Sequence, residues 1–225
     1  MKKTFKIVLV RHGESTGNIE NRFTGWLDVD LTKNGHMLSY SAGIKLKKLK
    51  YNFDICYTSM LRRAIKTSWA ILDALDLSHI KIVKDINLNE RHYGELSGMN
   101  KLEAVVKYGS ENINNWLNAY NKRPPFLKEG DIRLKRLKKK YKNKKIPNTE
   151  SLDDLLVRVL GFWNEKIKKK IKKKKIIIVA HSNILKILIN YLDNKKENSF
   201  LENSKPIIYE FDKNLNKIKS YNILV

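Results

Sequence analysis

Two stretches of the chain share one pattern. Lys6 to Val10 and Lys175 to Ala180 are continuous runs rich in β-branched residues, each passing directly into polar groups, Arg11-His12-Gly13 in the first and His181-Ser182-Asn183 in the second. Unbroken apolar runs of this length suit strands covered on both faces in a parallel sheet. Phe53 to Thr58 and Ile80 to Val83 read as shorter strands, and Pro206 to Phe211 and Ile218 to Val225 as closing ones. Between them lie helical spacings. Thr32-Lys33 opens a helix running to about Leu49. Ser59 is placed to cap a helix with Leu61, Ala64, Ile65, Ile71, Leu72 and Leu75 on its apolar side and Arg62 and Arg63 in its first turn. Glu103 to Tyr120 is helical with a break near Gly109. Leu152, Leu155, Leu156, Val159, Phe162, Trp163 and Ile167 mark a further amphipathic helix.

Strands alternating with helices predict an α/β fold, a three-layer sandwich with a mostly parallel central sheet flanked by helices. At 225 residues, a single domain is the expectation. Residues 128–146 are basic and nearly devoid of apolar positions, which predicts an exposed insertion or a lid. Ligands of open α/β sheets bind outside the carboxyl ends of the strands. The two strand-end histidines, His12 and His181, are therefore expected to face one site.

Composition changes this picture little. The formal net charge is +23, but only 9 of the 46 basic residues are arginine. Lysine, asparagine and isoleucine are used together as they would be under drift in an AT-rich genome, so the charge alone does not predict a nucleic-acid or membrane partner. The basic stretch 128–145 has Tyr141 as its one aromatic, whereas a stacking platform for single strands needs several. The single cysteine, Cys56, lies in an apolar run and is expected in the core, in a reducing compartment. No run of about 18 uncharged apolar residues is present. The opening apolar run is too short for a secretion signal. A cytoplasmic protein follows as the expectation.

The segment from Arg11 to Asn18 sets a guanidinium beside an imidazole, followed by glycine and by hydroxyl and amide side chains. That supplies a nucleophile and several anion donors within a few residues, with Gly13 letting the backbone turn closely around an anion. Further segments extend the likeness: Glu20 to Trp26, Tyr57-Thr58-Ser59, Arg63-Ala64-Ile65, Leu88 to Gly94, Asn100-Lys101, Lys107-Tyr108-Gly109, Ala180-His181 and Tyr209-Glu210. With these the chain resembles, over essentially its whole length, the histidine phosphatase superfamily and within it the 2,3-bisphosphoglycerate-dependent phosphoglycerate mutases. Asn21 to Trp26 and Leu88 to Gly94 are the parts that point to the mutases.

The resemblance implies that His12 is the residue phosphorylated, that Arg11, Arg63 and His181 surround the transferring group, and that Glu90 is the general acid and base. It implies phosphate and substrate contacts from Ser15, Asn18, Thr24, Gly25, Arg91, Tyr93, Lys101, Ser182 and Asn183. It further implies 2,3-bisphosphoglycerate as primer, no metal, a small phosphorylated substrate, and a homo-oligomer, a dimer or larger. The reaction implied is interconversion of 3-phosphoglycerate and 2-phosphoglycerate in glycolysis and gluconeogenesis. The four tryptophans, Trp26, Trp69, Trp116 and Trp163, are expected in the core or lining.

Three departures favour a second reading, hydrolysis of a small phosphate ester. Leu117 and Asn118 follow Trp116 where the mutases carry two arginines, and each lost bidentate contact costs about 1.5–3 kcal/mol. Arg123, Arg133 and the lysines near 135–145 are the candidate substitutes. Ser182 stands where the family has glycine, and Lys186 where it often has arginine. The chain stops at Val225, where the mutases usually continue in a tail that keeps water out.

Overall fold

The computed structural model describes residues 3–197 and 200–223. Its strands are β1 (Phe5–Arg11), β2 (Ile55–Thr58), β3 (Lys81–Lys84), β4 (Ile176–Ala180), β5 (Pro206–Phe211) and β6 (Lys217–Asn222). The helices are α1 (Thr16–Ile19), α2 (Lys33–Lys48), α3 (Arg62–Ala74), α4 (Lys101–Tyr108), α5 (Ser110–Asn118), α6 (Ile132–Lys140), α7 (Leu152–Phe162) and α8 (Ser182–Asp193). The six strands form one sheet in the order β3-β2-β4-β1-β5-β6. The first four run parallel, while β5 and β6 are antiparallel to their neighbours. The sheet is thus mixed, parallel where the two histidine-bearing strands lie side by side. The end of the last predicted strand, at Val225, falls outside the described residues.

Side chains alternate across the central strands and build two cores. Ile7, Leu9, Ile176 and Ile178 pack with Leu155, Val159, Leu185 and Leu188 of α7 and α8. Val8, Val10, Ile177 and Val179 pack with Ala42, Leu46, Ile71 and Leu72 of α2 and α3 on the other face. Burying each of these Val, Leu or Ile side chains contributes about 1.5–3 kcal/mol. The cores therefore fix the register of β1 against β4, with Arg11 opposite Ala180. Cys56 lies in the second core, and burial pushes its thiol up to about 12.

Several local expectations change. The residue that caps α3 is Leu61 rather than Ser59, whose hydroxyl sits two residues upstream and accepts from the Leu61 amide (3.2 Å). Gly13 is required by packing, because a Cβ there would meet the Gly35 carbonyl oxygen at 2.4 Å. Residues 128–145 contain α6, which buries Leu134, while Tyr141 packs edge-on against Trp26. Trp26 and Trp163 are buried as expected, but Trp69 is 52% exposed on α3. Among the described residues no helix is long and apolar enough to cross a membrane.

Candidate active site

β1 and β4 end together, and the His12 amide donates to the Ala180 carbonyl (2.9 Å), tying the two strand ends into one crevice. The His12 and His181 rings meet at 4.9 Å between centroids. His12 Nδ1 lies 2.7 Å from the Gly13 carbonyl oxygen. A carbonyl only accepts, so Nδ1 carries the proton and Nε2 keeps its lone pair. Burial, then the charges of Arg63 and Arg11, hold the His12 pKa well below its ordinary value. At neutral pH it is a neutral imidazole with a lone pair on Nε2.

His12 lines a cavity of about 290 Å³. Arg11 and Arg63 stand in its wall with Lys101 and Lys186. Arg63 is almost fully buried in the first turn of α3, and it is aimed by donating to the carbonyls of Leu27 (2.9 Å) and Gly25 (2.8 Å). Burial lowers its guanidinium to about 10, so it stays charged at neutral pH. Gly25 holds φ +50°, and a Cβ there would meet the Arg91 carbonyl at 3.0 Å and Tyr93 at 3.2 Å. Three helices, α1, α3 and α8, begin at this cavity without an acidic residue in their first turns. For α3 and α8 the amide ends of full-length helices add to the positive field.

Glu90 is the one carboxylate of the wall. Its Oε1 accepts from the Arg91 amide (2.8 Å) and from Asn183 Nδ2 (3.2 Å), which also donates to the Tyr93 hydroxyl oxygen (2.8 Å). Its backbone is clamped as well. The Glu90 carbonyl accepts from Trp26 Nε1 (2.5 Å) and from Arg158 (3.0 Å) on α7. Arg158 in turn forms a buried ion pair with Glu150 (2.7 Å), whose other oxygen accepts from the His92 amide (2.8 Å). Arg158 and Glu150 are positioning residues that fix where the Glu90 carboxylate stands.

Of the residues expected at the site, His12, Arg11, Arg63 and Glu90 line the cavity together with Ser15, Asn18, Thr24 and Gly25. Tyr93, Lys101, Ser182 and Asn183 close it. Two do not line it. His181 is fully buried behind His12, with Nε2 at 2.8 Å from Ser59 Oγ. Arg91 is buried away from the cavity, donating to the carbonyls of Glu150 (2.9 Å) and Lys122 (3.2 Å) and lying over the Tyr93 ring. It ties the loops around Glu90 together and does not face substrate.

The arginine clamp's candidate substitutes are also occupied elsewhere. Arg123 pairs with Asp154 through two 2.6 Å bonds, and Arg133 is held by Asp131 and the Ser97 carbonyl. None of residues 128–145 lines the cavity. Leu117 and Asn118 do, and so do Arg22, Phe23, Lys186 and Phe200, four residues that carry no motif signal as contacts. Among the described residues no group of three or more His, Cys, Asp or Glu is placed to hold a metal.

Buried neutral histidines make stability depend on pH. His92, whose Nδ1 accepts from the Gly94 amide (3.1 Å), is lowered to about 4, chiefly by burial. Between its folded value and the ordinary one near 6.5, the unfolded chain binds a proton that the folded chain does not. Stability is therefore full above about pH 6.5 and falls as pH drops toward about 4, His92 alone contributing on the order of 2 kcal/mol by pH 5. His12 and His181 are shifted in the same direction. Urea midpoints at pH 7 and pH 5 should lie apart in the parent and less far apart in His92→Gln, where His12 and His181 keep their share of the pH dependence. An equal pH dependence in the two would contradict this account.

The chain matches the histidine phosphatase superfamily (branch 1) over residues 7–139 and 127–224. It is similar in fold to Bacillus stearothermophilus YhfR (21% identity, TM-score 0.73, 94% of this chain and 93% of that one). An alpha-ribazole phosphatase from Shigella flexneri is 19% identical, with a TM-score of 0.72 over 97% of this chain and 96% of that one. A phosphoglycerate mutase from Bacillus anthracis is also 19% identical, with a TM-score of 0.72 over 98% of this chain and 93% of that one.

Proposed function

The chain belongs to the histidine phosphatase superfamily, branch 1, and on that premise we propose that it interconverts 3-phosphoglycerate and 2-phosphoglycerate, with His12 as the phosphoryl carrier. The observation that carries the reading is the charge of the cavity wall. Arg11, Arg63, Lys101 and Lys186 face one carboxylate, Glu90, while the fifth cation of the wall, Arg22, is paired with Glu20 (2.8 Å). A phosphate monoester brings about −1.5 to −2 charges, which two or three cations match. Four suit a substrate that carries a carboxylate beside its phosphate.

In the forward step His12 Nε2 attacks phosphorus, the P–O bond to the substrate carbon skeleton breaks, and the departing oxygen takes a proton from Glu90. In the return step the Glu90 carboxylate removes a proton from a substrate hydroxyl as that oxygen attacks phosphohistidine. Arg11 and Arg63 stabilise the charge spread over the equatorial oxygens. One buried nitrogen beside His12, Arg11 Nε, lacks a partner among the described residues. A buried donor left unpaired is costly, and a phosphoryl oxygen would satisfy it. Arg11, Arg63, Lys101 and Lys186 are the residues that would hold 2,3-bisphosphoglycerate, which when bound supplies the phosphoryl group that primes His12.

Leu117 and Asn118 favour a second reading. They give the wall an apolar and an amide surface where the resembled mutases carry two cations, so water as final acceptor and a smaller ester as donor is the alternative. The fold is shared with the Shigella alpha-ribazole phosphatase as well as with the Bacillus anthracis mutase, and does not choose between them. Purified protein given 3-phosphoglycerate, with and without 2,3-bisphosphoglycerate, should form 2-phosphoglycerate faster with the bisphosphate and release little phosphate. Phosphate release without 2-phosphoglycerate would replace the mutase with the phosphatase.

A further inference from the structure

A larger cavity, of about 640 Å³, opens at the other end of the sheet, where β1, β2 and β4 begin. Its floor is apolar, with Val8, Phe53 and Ile171 buried. One wall is aromatic. Tyr51 lies nearly parallel to Phe53 (19°, centroids 6.4 Å apart), and its hydroxyl is 2.8 Å from that of Tyr221. The rim carries Lys3, Lys6, Lys50 and the run Lys172 to Lys175. Among the described residues only Lys6 of these seven forms an ion pair, with Glu210 (2.9 Å). The one carboxylate of the lining, Asp54, already accepts from the Lys175 amide (2.6 Å).

Lysines scattered over convex helix faces need no partner. Seven around one concavity, with a single carboxylate among them, focus a positive field into it. The volume lies within the range that takes a small-molecule ligand. Ammonium groups bind phosphate as point charges, and an aromatic wall offers a planar apolar surface. We propose that this cavity binds a nucleoside triphosphate, with its phosphates on the Lys172 to Lys175 run and its base against Tyr51. The site is independent of the reading of His12.

The test is calorimetric titration of the intact protein with ATP, tripolyphosphate and adenosine, repeated with orthovanadate present to fill the His12 cavity. One ATP per chain should bind, more tightly than tripolyphosphate or adenosine and equally well with vanadate. K173E/K174E, at two exposed positions, should weaken ATP by about tenfold or more while leaving phosphohistidine formation at His12 unchanged. Tyr51→Leu should weaken ATP and leave tripolyphosphate as it was. Absence of ATP binding, its displacement by vanadate, or indifference to K173E/K174E would overturn the site. Equal affinity for ATP and tripolyphosphate would overturn the nucleotide assignment.

Discussion

His12→Ala is expected to abolish the phosphoenzyme and to lower turnover by about five orders of magnitude or more, the loss typical when the nucleophile of a covalent mechanism is removed. Among the described residues that line the cavity, the imidazole is the group with a free lone pair on a neutral ring nitrogen, set there by the Gly13 carbonyl on its other nitrogen. Its ring neighbour, His181, has Nε2 engaged with Ser59 and no surface on the cavity. It cannot take over without moving. Folding should survive, since the lost ring is one that burial and two guanidinium groups keep uncharged. Brief exposure to labelled phosphate donor, followed by a search for acid-labile label, measures the effect. Label retained in His12→Ala would transfer the carrier role to another residue.

How much of this was legible depended on the physics that each residue obeys. β1 and β4 were read from the chain because a strand buried on both faces needs an unbroken apolar run, and the histidines follow those runs directly. Arg63 and Glu90 have no such local mark, and the family likeness of their segments located them. Nothing in their own segments sets Arg158 and Glu150 apart. Their role appears only when α7 packs beneath the Glu90 loop and the ion pair is buried there.

Where sequence and structure differ, the cause is of the same kind. The local sequence predicts a helix-capping role for Ser59, but its hydroxyl lies against His181, which is distant in sequence. Arg91 was placed on substrate with its neighbours in the Leu88 to Gly94 segment. Neighbouring residues of an extended stretch point to opposite sides, so Glu90 faces the cavity while Arg91 turns to the Glu150 and Lys122 carbonyls, and Tyr93 returns to the cavity where the backbone leaves the extended conformation (φ −87°, ψ 12°). Residues 128–145 have few apolar positions, yet Leu134 and Tyr141 are enough to seat α6 beside Trp26.

Glu90→Gln separates the chemistry of the carrier from that of the proton. The amide oxygen can still accept from the Arg91 amide and from Asn183, and the backbone clamp by Trp26 and Arg158 does not involve the side chain. What disappears is a group that can hold and release a proton at the departing oxygen, a contribution of roughly 10²–10⁴-fold. Turnover of phosphoglycerate should therefore fall by that factor. A donor whose leaving group is an acidic phenol, such as p-nitrophenyl phosphate, needs no proton from the enzyme. It should still phosphorylate His12 at close to the parent rate, and the phosphohistidine should then accumulate because the acceptor hydroxyl is no longer deprotonated. If both donors lose rate equally, Glu90 acts on the field or shape of the site rather than on a proton, and its acid–base role must be given up.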